Sequence, residues 1–101
     1  MQSIYDYHNY REYLRDYYLS QKKSHPYFTL RYFAKQAGLA SHTHYTLVLD
    51  GKRNLSARSI RKFSQGLGLK SREADYFESL VHFTQAESSN DKSHYLDKLT
   101  S

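Results

Sequence analysis

Apolar and aromatic residues recur at helical spacing along the whole chain, and no useful run alternates as a β-strand would. The clearest stripe occupies positions i, i+3, i+4, i+7 and i+8 and predicts a helix over about residues 7–22, capped by Asp6. His25 and Pro26 end this pattern, because proline disfavours helical backbone in the residue before it. The stripe consists of Tyr10, Tyr13, Leu14, Tyr17 and Tyr18.

Four further helical segments follow, bounded by residues that can start or end a helix. Hydroxyl side chains that can cap a helix stand at Thr29, Ser41, Ser56 and Ser71. Residues that favour the left-handed turn after a helix stand at Gly38, Gly51 and Gly68. The third helix is predicted to run from Ser41 to about Leu49. The fold class predicted is therefore all-α, a bundle of five to six helices.

The polar residues 87–90 predict a loop after the fifth helix. Beyond them, Tyr95, Leu96 and Leu99 return at helical spacing. The sequence thus predicts one domain over residues 1–87, and over residues 88–101 a linker and the start of a C-terminal helix. Dimerisation is expected to use the exposed part of the stripe at residues 7–18, or residues 77–83.

The charge is strongly segregated. Residues 22–72 hold eleven basic residues and one acid, Asp50, which gives this segment a charge of +10. The rest of the chain has four basic and nine acidic residues, or −5, so that the whole carries +5. Such a distribution is typical of a segment that binds a polyanion.

Several classes of protein are disfavoured. The chain has no cysteine, which excludes disulfides and thiolate metal sites. No apolar run approaches the roughly 20 residues that a membrane span needs. The first residues lack the pattern of a secretory signal, so a cytoplasmic protein is expected. No membrane partner and no cofactor is predicted.

Neither an enzyme nor a metal site is expected. There is no glycine-rich phosphate loop and no nucleophile with a nearby base. Glu12 and Asp16 are interpreted as surface charges that pair locally with arginines such as Arg11. His42 and His44 would lie about 200° apart on a helix and cannot easily share a metal ion.

The stretch from the second helix to the fourth carries the functional signal. A small residue, Ala34, lies four positions before Gly38, which allows two helices to cross closely. This layout predicts a helix-turn-helix at roughly residues 30–49. On the third helix Tyr45, Val48 and Leu49 share the core side. Opposite them lie Thr43, Thr46 and Leu47, with His42 and His44 on the flanks.

These groups suit the major groove of DNA. Hydroxyls and imidazoles can read base edges, and Leu47 or a threonine methyl can contact the methyl group of thymine. The loop after the helix adds Lys52, Arg53 and Asn54, which can hold phosphates. Thr29 and Arg31 stand at the start of the second helix, where free N–H groups attract phosphate.

Residues 29–69 resemble the helix-turn-helix of the Cro/lambda-repressor type. The matching positions are Ala34, Gly38, Asp50, Gly51, Lys52, Arg53, Leu67 and Gly68. This resemblance implies sequence-specific binding of double-stranded DNA. It implies base contacts by Ser41, His42, Thr43 and Thr46, and phosphate contacts by Thr29, Lys52, Arg53 and Asn54.

A longer stretch, from "YDYHNYREYLRDYY" to "EADYFESLVHFTQA", is similar to a group of largely uncharacterised bacterial proteins. In those proteins such a region precedes a longer domain of unknown function. The resemblance implies the DNA-binding portion of a bacterial transcriptional regulator, with a regulatory domain beyond it. RNA binding remains an alternative because of the many tyrosines. So does a protein-interaction module built on the same scaffold.

Overall fold

The structure, a computed structural model, describes residues 1–100. They form six α-helices and no strand, which confirms the predicted all-α bundle. None of these helices has both the length and the apolar character needed to cross a membrane. A short 3-10 helix, Ile4–Asp6, precedes α1 (Tyr10–Ser24), α2 (Leu30–Ala37), α3 (Thr43–Leu49), α4 (Ala57–Leu67), α5 (Arg72–Gln85) and α6 (Ser89–Thr100).

Most predicted helix boundaries are confirmed by their capping interactions. The side chain of Thr29 accepts a hydrogen bond from the backbone N–H of Tyr32, and Ser56 accepts one from the N–H of Ser59. Gly38 and Gly68 end α2 and α4 with φ angles of 75° and 73°. A side chain with a Cβ is strained in this left-handed region, which is why glycine serves there.

The predicted start of α1 was wrong. The helix begins at Tyr10, and its cap is Asn9, whose side chain accepts a hydrogen bond from the N–H of Arg11 at 2.8 Å. Asp6 lies in the preceding 3-10 helix, where Ile4 is buried in the core. The hydroxyl of Tyr76 donates to the backbone carbonyl of Tyr7 at 2.7 Å, which holds this segment against α5 outside α1.

Two other boundaries and one predicted cap differ from the prediction. Helix α3 begins at Thr43, because Ser41 remains in the turn and its hydroxyl accepts the N–H of Thr43 at 3.2 Å. Ser71 precedes α5, but its φ of 51° is left-handed and its side chain makes no capping hydrogen bond. The predicted loop at residues 87–90 is shorter, since α6 already begins at Ser89.

Aromatic side chains dominate the core. The first stripe is confirmed, since Tyr10, Tyr13 and Leu14 are buried and the other two tyrosines pack against the core. Tyrosine can bury its ring provided that its hydroxyl finds a partner. The largest fully buried side chains are Tyr10, Tyr45, Phe33, Phe63, Phe77, Leu14, Leu80, Val48 and Val81.

Gln85 on α5 fixes the segment that leads into α4. Its Nε2 donates to the carbonyl of Leu55 at 3.1 Å, and its Oε1 accepts the N–H of Leu55 at 2.7 Å. The same oxygen accepts the hydroxyl of Tyr10 at 2.6 Å. One side-chain amide therefore satisfies a backbone donor and acceptor that would otherwise be costly to leave unpaired.

Helix α6 packs along α5. The rings of Tyr95 and His82 stack with centroids 5.0 Å apart, and Leu99 contacts the edge of the core. The ammonium of Lys92 donates to the carbonyl of Phe83 at 3.2 Å. The domain boundary at residue 88 stays a prediction.

The contact between α2 and α4 depends on Gly66. A Cβ built at this position would lie 2.7 Å from the Cβ of Ala37 and 2.8 Å from Cζ of Phe33. Both neighbours are buried, so neither can easily move aside. The absence of a side chain at residue 66 therefore lets the two helices approach each other closely.

We expect Gly66→Ala to destabilise the fold by about 1–3 kcal/mol, because the added methyl group overpacks the helix contact. In an open helix the same change would stabilise by about 1 kcal/mol, so the sign of the effect is decisive. Urea unfolding measures it. Arg61→Ala, at an exposed position of α4, is the control and should change stability by less than about 0.5 kcal/mol. A more stable Gly66→Ala protein would contradict this close crossing.

Candidate nucleic-acid interface

Helix α3 presents a polar face to solvent. Tyr45 and Val48 are buried, whereas Thr43 and Thr46 are exposed, as their helical spacing predicts. His42 and Leu47 are half-buried beside them. We call this surface the α3 ridge and define it by Ser41, His42, Thr43, Thr46 and Leu47, the five predicted base-contact residues.

Hydroxyl groups give the α3 ridge its hydrogen-bonding capacity. The hydroxyls of Ser41 and Thr43 lie 2.8 Å apart and hydrogen-bond to each other, which orients both near the start of α3. Each hydroxyl can donate once and accept twice, so this pair retains capacity for a ligand. The only acid in residues 22–72 is Asp50, at the far end of the helix. The α3 ridge therefore carries no carboxylate that would repel a phosphate.

The basic loop, residues 51–54, follows α3 directly. Gly51 adopts a φ of 74°, and the N–H of Lys52 donates to the carbonyl of Leu47 at 3.0 Å. These features turn the chain sharply at the end of the helix. Lys52, Arg53 and Asn54 are all exposed. Three of the predicted phosphate-contact residues thus lie next to the α3 ridge.

Arg11 holds this loop in place, and its predicted local ion pair was wrong. Its Nε donates to the carbonyl of Val48 at 2.9 Å. A terminal nitrogen donates to the carbonyl of Arg53 at 3.2 Å and to Oδ1 of Asn54 at 3.0 Å. The guanidinium also lies 4.7 Å from the centre of the Tyr10 ring. A positive group at the C-terminal end of a helix is favourable, so Arg11 stabilises both α3 and the loop.

We expect Arg11→Ala to lower stability by about 1–3 kcal/mol, because it removes charge-assisted hydrogen bonds to three acceptors. Duplex binding should also weaken, since the loop loses its support. Arg15→Ala is the matched control, because Arg15 is exposed on the same helix. Thermal unfolding and duplex titration measure the two effects. Equal behaviour of the two variants would show that Arg11 has no positioning role.

The start of α2 contributes a second group of polar residues. Thr29 uses its hydroxyl as the helix cap but remains exposed. Arg31 and Lys35 are exposed one turn apart and border a groove of about 430 Å³ that also includes Ser41 and His42. Arg31 is therefore adjacent to the α3 ridge, as predicted phosphate contacts should be. Lys35 was not among the predicted contacts.

One cation of α4, Lys62, also lies near α3. The ring of His44 packs edge-on against Phe63 with centroids 5.5 Å apart, and its buried Nε2 has no hydrogen-bond partner within residues 1–100. Desolvation lowers the pKa of His44, and the positive charges of Arg53 and Lys62 lower this pKa further. The His44 imidazole is thus mostly neutral at pH 7. Among residues 1–100 no cluster of three His, Asp or Glu side chains could hold a metal ion.

Comparison with known proteins adds no relative. No family model matches the chain, and no similar protein was found among curated sequences or solved structures. The residues and geometry of the α3 ridge and the basic loop are therefore the grounds for assigning a function.

Proposed function

We propose that this chain binds double-stranded DNA in a sequence-specific manner, as the DNA-binding portion of a bacterial transcriptional regulator in the cytoplasm. The observation that carries this proposal is the exposed α3 ridge, which has no carboxylate and is bordered by cations of α2 and of the basic loop. An ordinary surface helix mixes acids and bases instead. A ridge of this composition matches the groups that a major groove presents.

In this proposal α3 enters the major groove. Thr43 and Thr46 donate to or accept from base edges, and Leu47 contacts a thymine methyl group. Ser41 and His42 approach bases at the start of the helix. Lys52 and Arg53 contact the phosphates beside the groove, while Thr29 and Arg31 contact those near the start of α2. Asn54 already accepts a hydrogen bond from Arg11, so its amide N–H groups are what it can offer to a phosphate.

A two-fold dimer on a palindromic site is also part of this proposal. The two segments predicted to form the dimer contact, residues 7–18 and 77–83, lie largely in the core. Four of their apolar residues are buried: Tyr13, Leu14, Phe77 and Leu80.

The function is tested by titrating the protein with duplex DNA and with single-stranded RNA over a range of salt concentrations. We expect tighter binding to the duplex, with an affinity that falls steeply as salt rises because counterions are released from the phosphates. Preference for the RNA would favour the RNA-binding alternative. Failure to bind either nucleic acid would favour a protein-interaction module.

Base readout has its own test at the exposed threonines. Thr43→Ala and Thr46→Ala should change which duplex sequence is preferred, by about 1–3 kcal/mol at the affected base pair. Binding to unrelated duplexes should change little, because phosphate contacts remain. The measurement is competition between the preferred site and its single-base variants. Unchanged preference in both variants would show that these hydroxyls do not read bases.

A further inference from the structure

A second concave site lies away from the basic loop, where the C-terminal half of α1, the connection to α2, and helices α2 and α4 meet. It is a groove of about 340 Å³. This volume lies at the lower end of the range for small-molecule pockets. We call it the aromatic groove because six rings line it, those of Tyr17, His25, Tyr27, Phe28, Tyr32 and Phe33.

The rings form a connected set. Tyr17 contacts Phe28 and Phe33 edge-on, with centroids 6.1 and 6.2 Å apart. Tyr32 contacts Phe28 at 5.8 Å and Tyr27 at 5.6 Å. Phe28 and Phe33 are buried, but the ring of Tyr27 is 65% exposed. An exposed ring beside packed ones offers a face on which a planar ligand can stack.

Polar groups without partners surround these rings. Within residues 1–100 the side-chain amides of Gln21 and Gln36 make no hydrogen bond, nor do the hydroxyls of Tyr17 and Tyr32. Burial raises the pKa of Tyr17, and the neighbouring Tyr32 hydroxyl raises this pKa further. The Tyr17 hydroxyl is therefore protonated at neutral pH and able to donate.

The charges around the groove disfavour cationic ligands. Its lining includes no aspartate or glutamate. The ammonium of Lys22 donates to the carbonyl of Phe28 at 3.1 Å, which places a cation near the groove. The groove can therefore bind an uncharged ring. Because no carboxylate lines it and the Lys22 ammonium is near, a phosphate attached to that ring would not be repelled.

We infer that the aromatic groove binds one planar heteroaromatic ring of the nucleobase class. Stacking on the exposed face of Tyr27 provides most of the contact area. The Tyr32 ring is inclined to Tyr27 by 62° and contacts the ligand at an angle, while the glutamine amides bind its edge. A glutamine amide matches the adjacent donor and acceptor of adenine, which makes adenine the first base to test. This site is separate from the α3 ridge, so duplex binding can fail while it stands.

The test uses NMR on the isotope-labelled chain without any duplex present. Adenosine, guanosine, cytidine and uridine are each added at millimolar concentration. We expect at least one of them to shift the side-chain NH₂ signals of Gln21 and Gln36. The proposal is overturned if neither the nucleosides nor a short single-stranded oligoadenylate shifts these NH₂ signals. It is also overturned if the only signals that shift belong to residues outside the groove.

Two further arms separate the source of the base and the role of the stacking ring. If a short single-stranded oligoadenylate shifts the same NH₂ signals and adenosine does not, the ligand is an unpaired base of a strand. If adenosine shifts them and the oligoadenylate does not, the ligand is a free nucleoside. Tyr27→Ala should weaken the binding by about tenfold, because one stacked ring is lost. Tyr5→Ala, which removes a 47% exposed ring elsewhere, is the control and should leave it unchanged. Equal affinity of both variants would contradict stacking in this groove.

Discussion

A chain with both Lys52→Ala and Arg53→Ala is expected to bind every duplex more weakly. The slope of log affinity against log salt should also become smaller by about 1.8, the contribution of two phosphate contacts. The reason is that each phosphate neutralised by a side chain releases counterions, which contributes about 0.9 to the slope of log affinity against log salt. Both side chains are exposed in the loop that follows α3, so the folded chain should keep its stability. The measurement is duplex titration at several salt concentrations.

The matched control removes two exposed cations from α1 instead, at Arg15 and Lys23. Its net charge is the same as that of the loop variant, but its substitutions lie outside both the basic loop and the α3 ridge. If the slope of log affinity against log salt falls equally in both variants, long-range charge governs binding and local contacts do not. If the loop variant binds as tightly as the unchanged chain at moderate salt, the proposed orientation on DNA is wrong.

The second large effect is expected at Tyr45, which attaches α3 to the rest of the fold. Tyr45→Ala should destabilise the protein by about 3–5 kcal/mol, as truncation of a fully buried aromatic residue does. Its ring packs on Phe33 and Phe63 with centroids 4.8 and 5.7 Å apart. Its hydroxyl donates to the buried carbonyl of Leu14 at 2.6 Å. Because α3 has seven residues, it depends on such packing for its stability.

Two controls separate the contributions of Tyr45. Tyr45→Phe removes only the hydroxyl and should cost about 0.5–1.5 kcal/mol. Tyr27→Ala removes an exposed tyrosine ring and should cost less than about 0.5 kcal/mol. Urea unfolding measures all three variants. A Tyr45→Ala protein as stable as the Tyr27→Ala protein would show that Tyr45 does not anchor α3.

Much of the helical architecture was predictable because its signals are local. The caps at Thr29 and Ser56 and the turns at Gly38 and Gly68 depend on neighbouring residues only. The start of α1 was not predictable in this way. Asp6 and Asn9 can both cap a helix, and the contact of Tyr76 with the backbone of Tyr7 holds the Asp6 segment outside the helix.

The candidate interface shows the same division. Exposure of Thr43 and Thr46 follows from helical spacing, and the basic loop is visible in the sequence. The supporting residues are not, because their partners lie far along the chain. Arg11 contacts Val48 and Arg53, and a glycine inside a helix, Gly66, is required by Phe33 of another helix. No local sequence pattern predicts contacts between residues so far apart in the chain.

Selection of binding sites from a random duplex pool tests the central claim most directly. If the α3 ridge reads bases, the pool should converge on one short sequence, and the chain with Thr43→Ala and Thr46→Ala should converge on a different or less defined one. Recovery of no enriched sequence by the unchanged chain would contradict sequence-specific DNA binding.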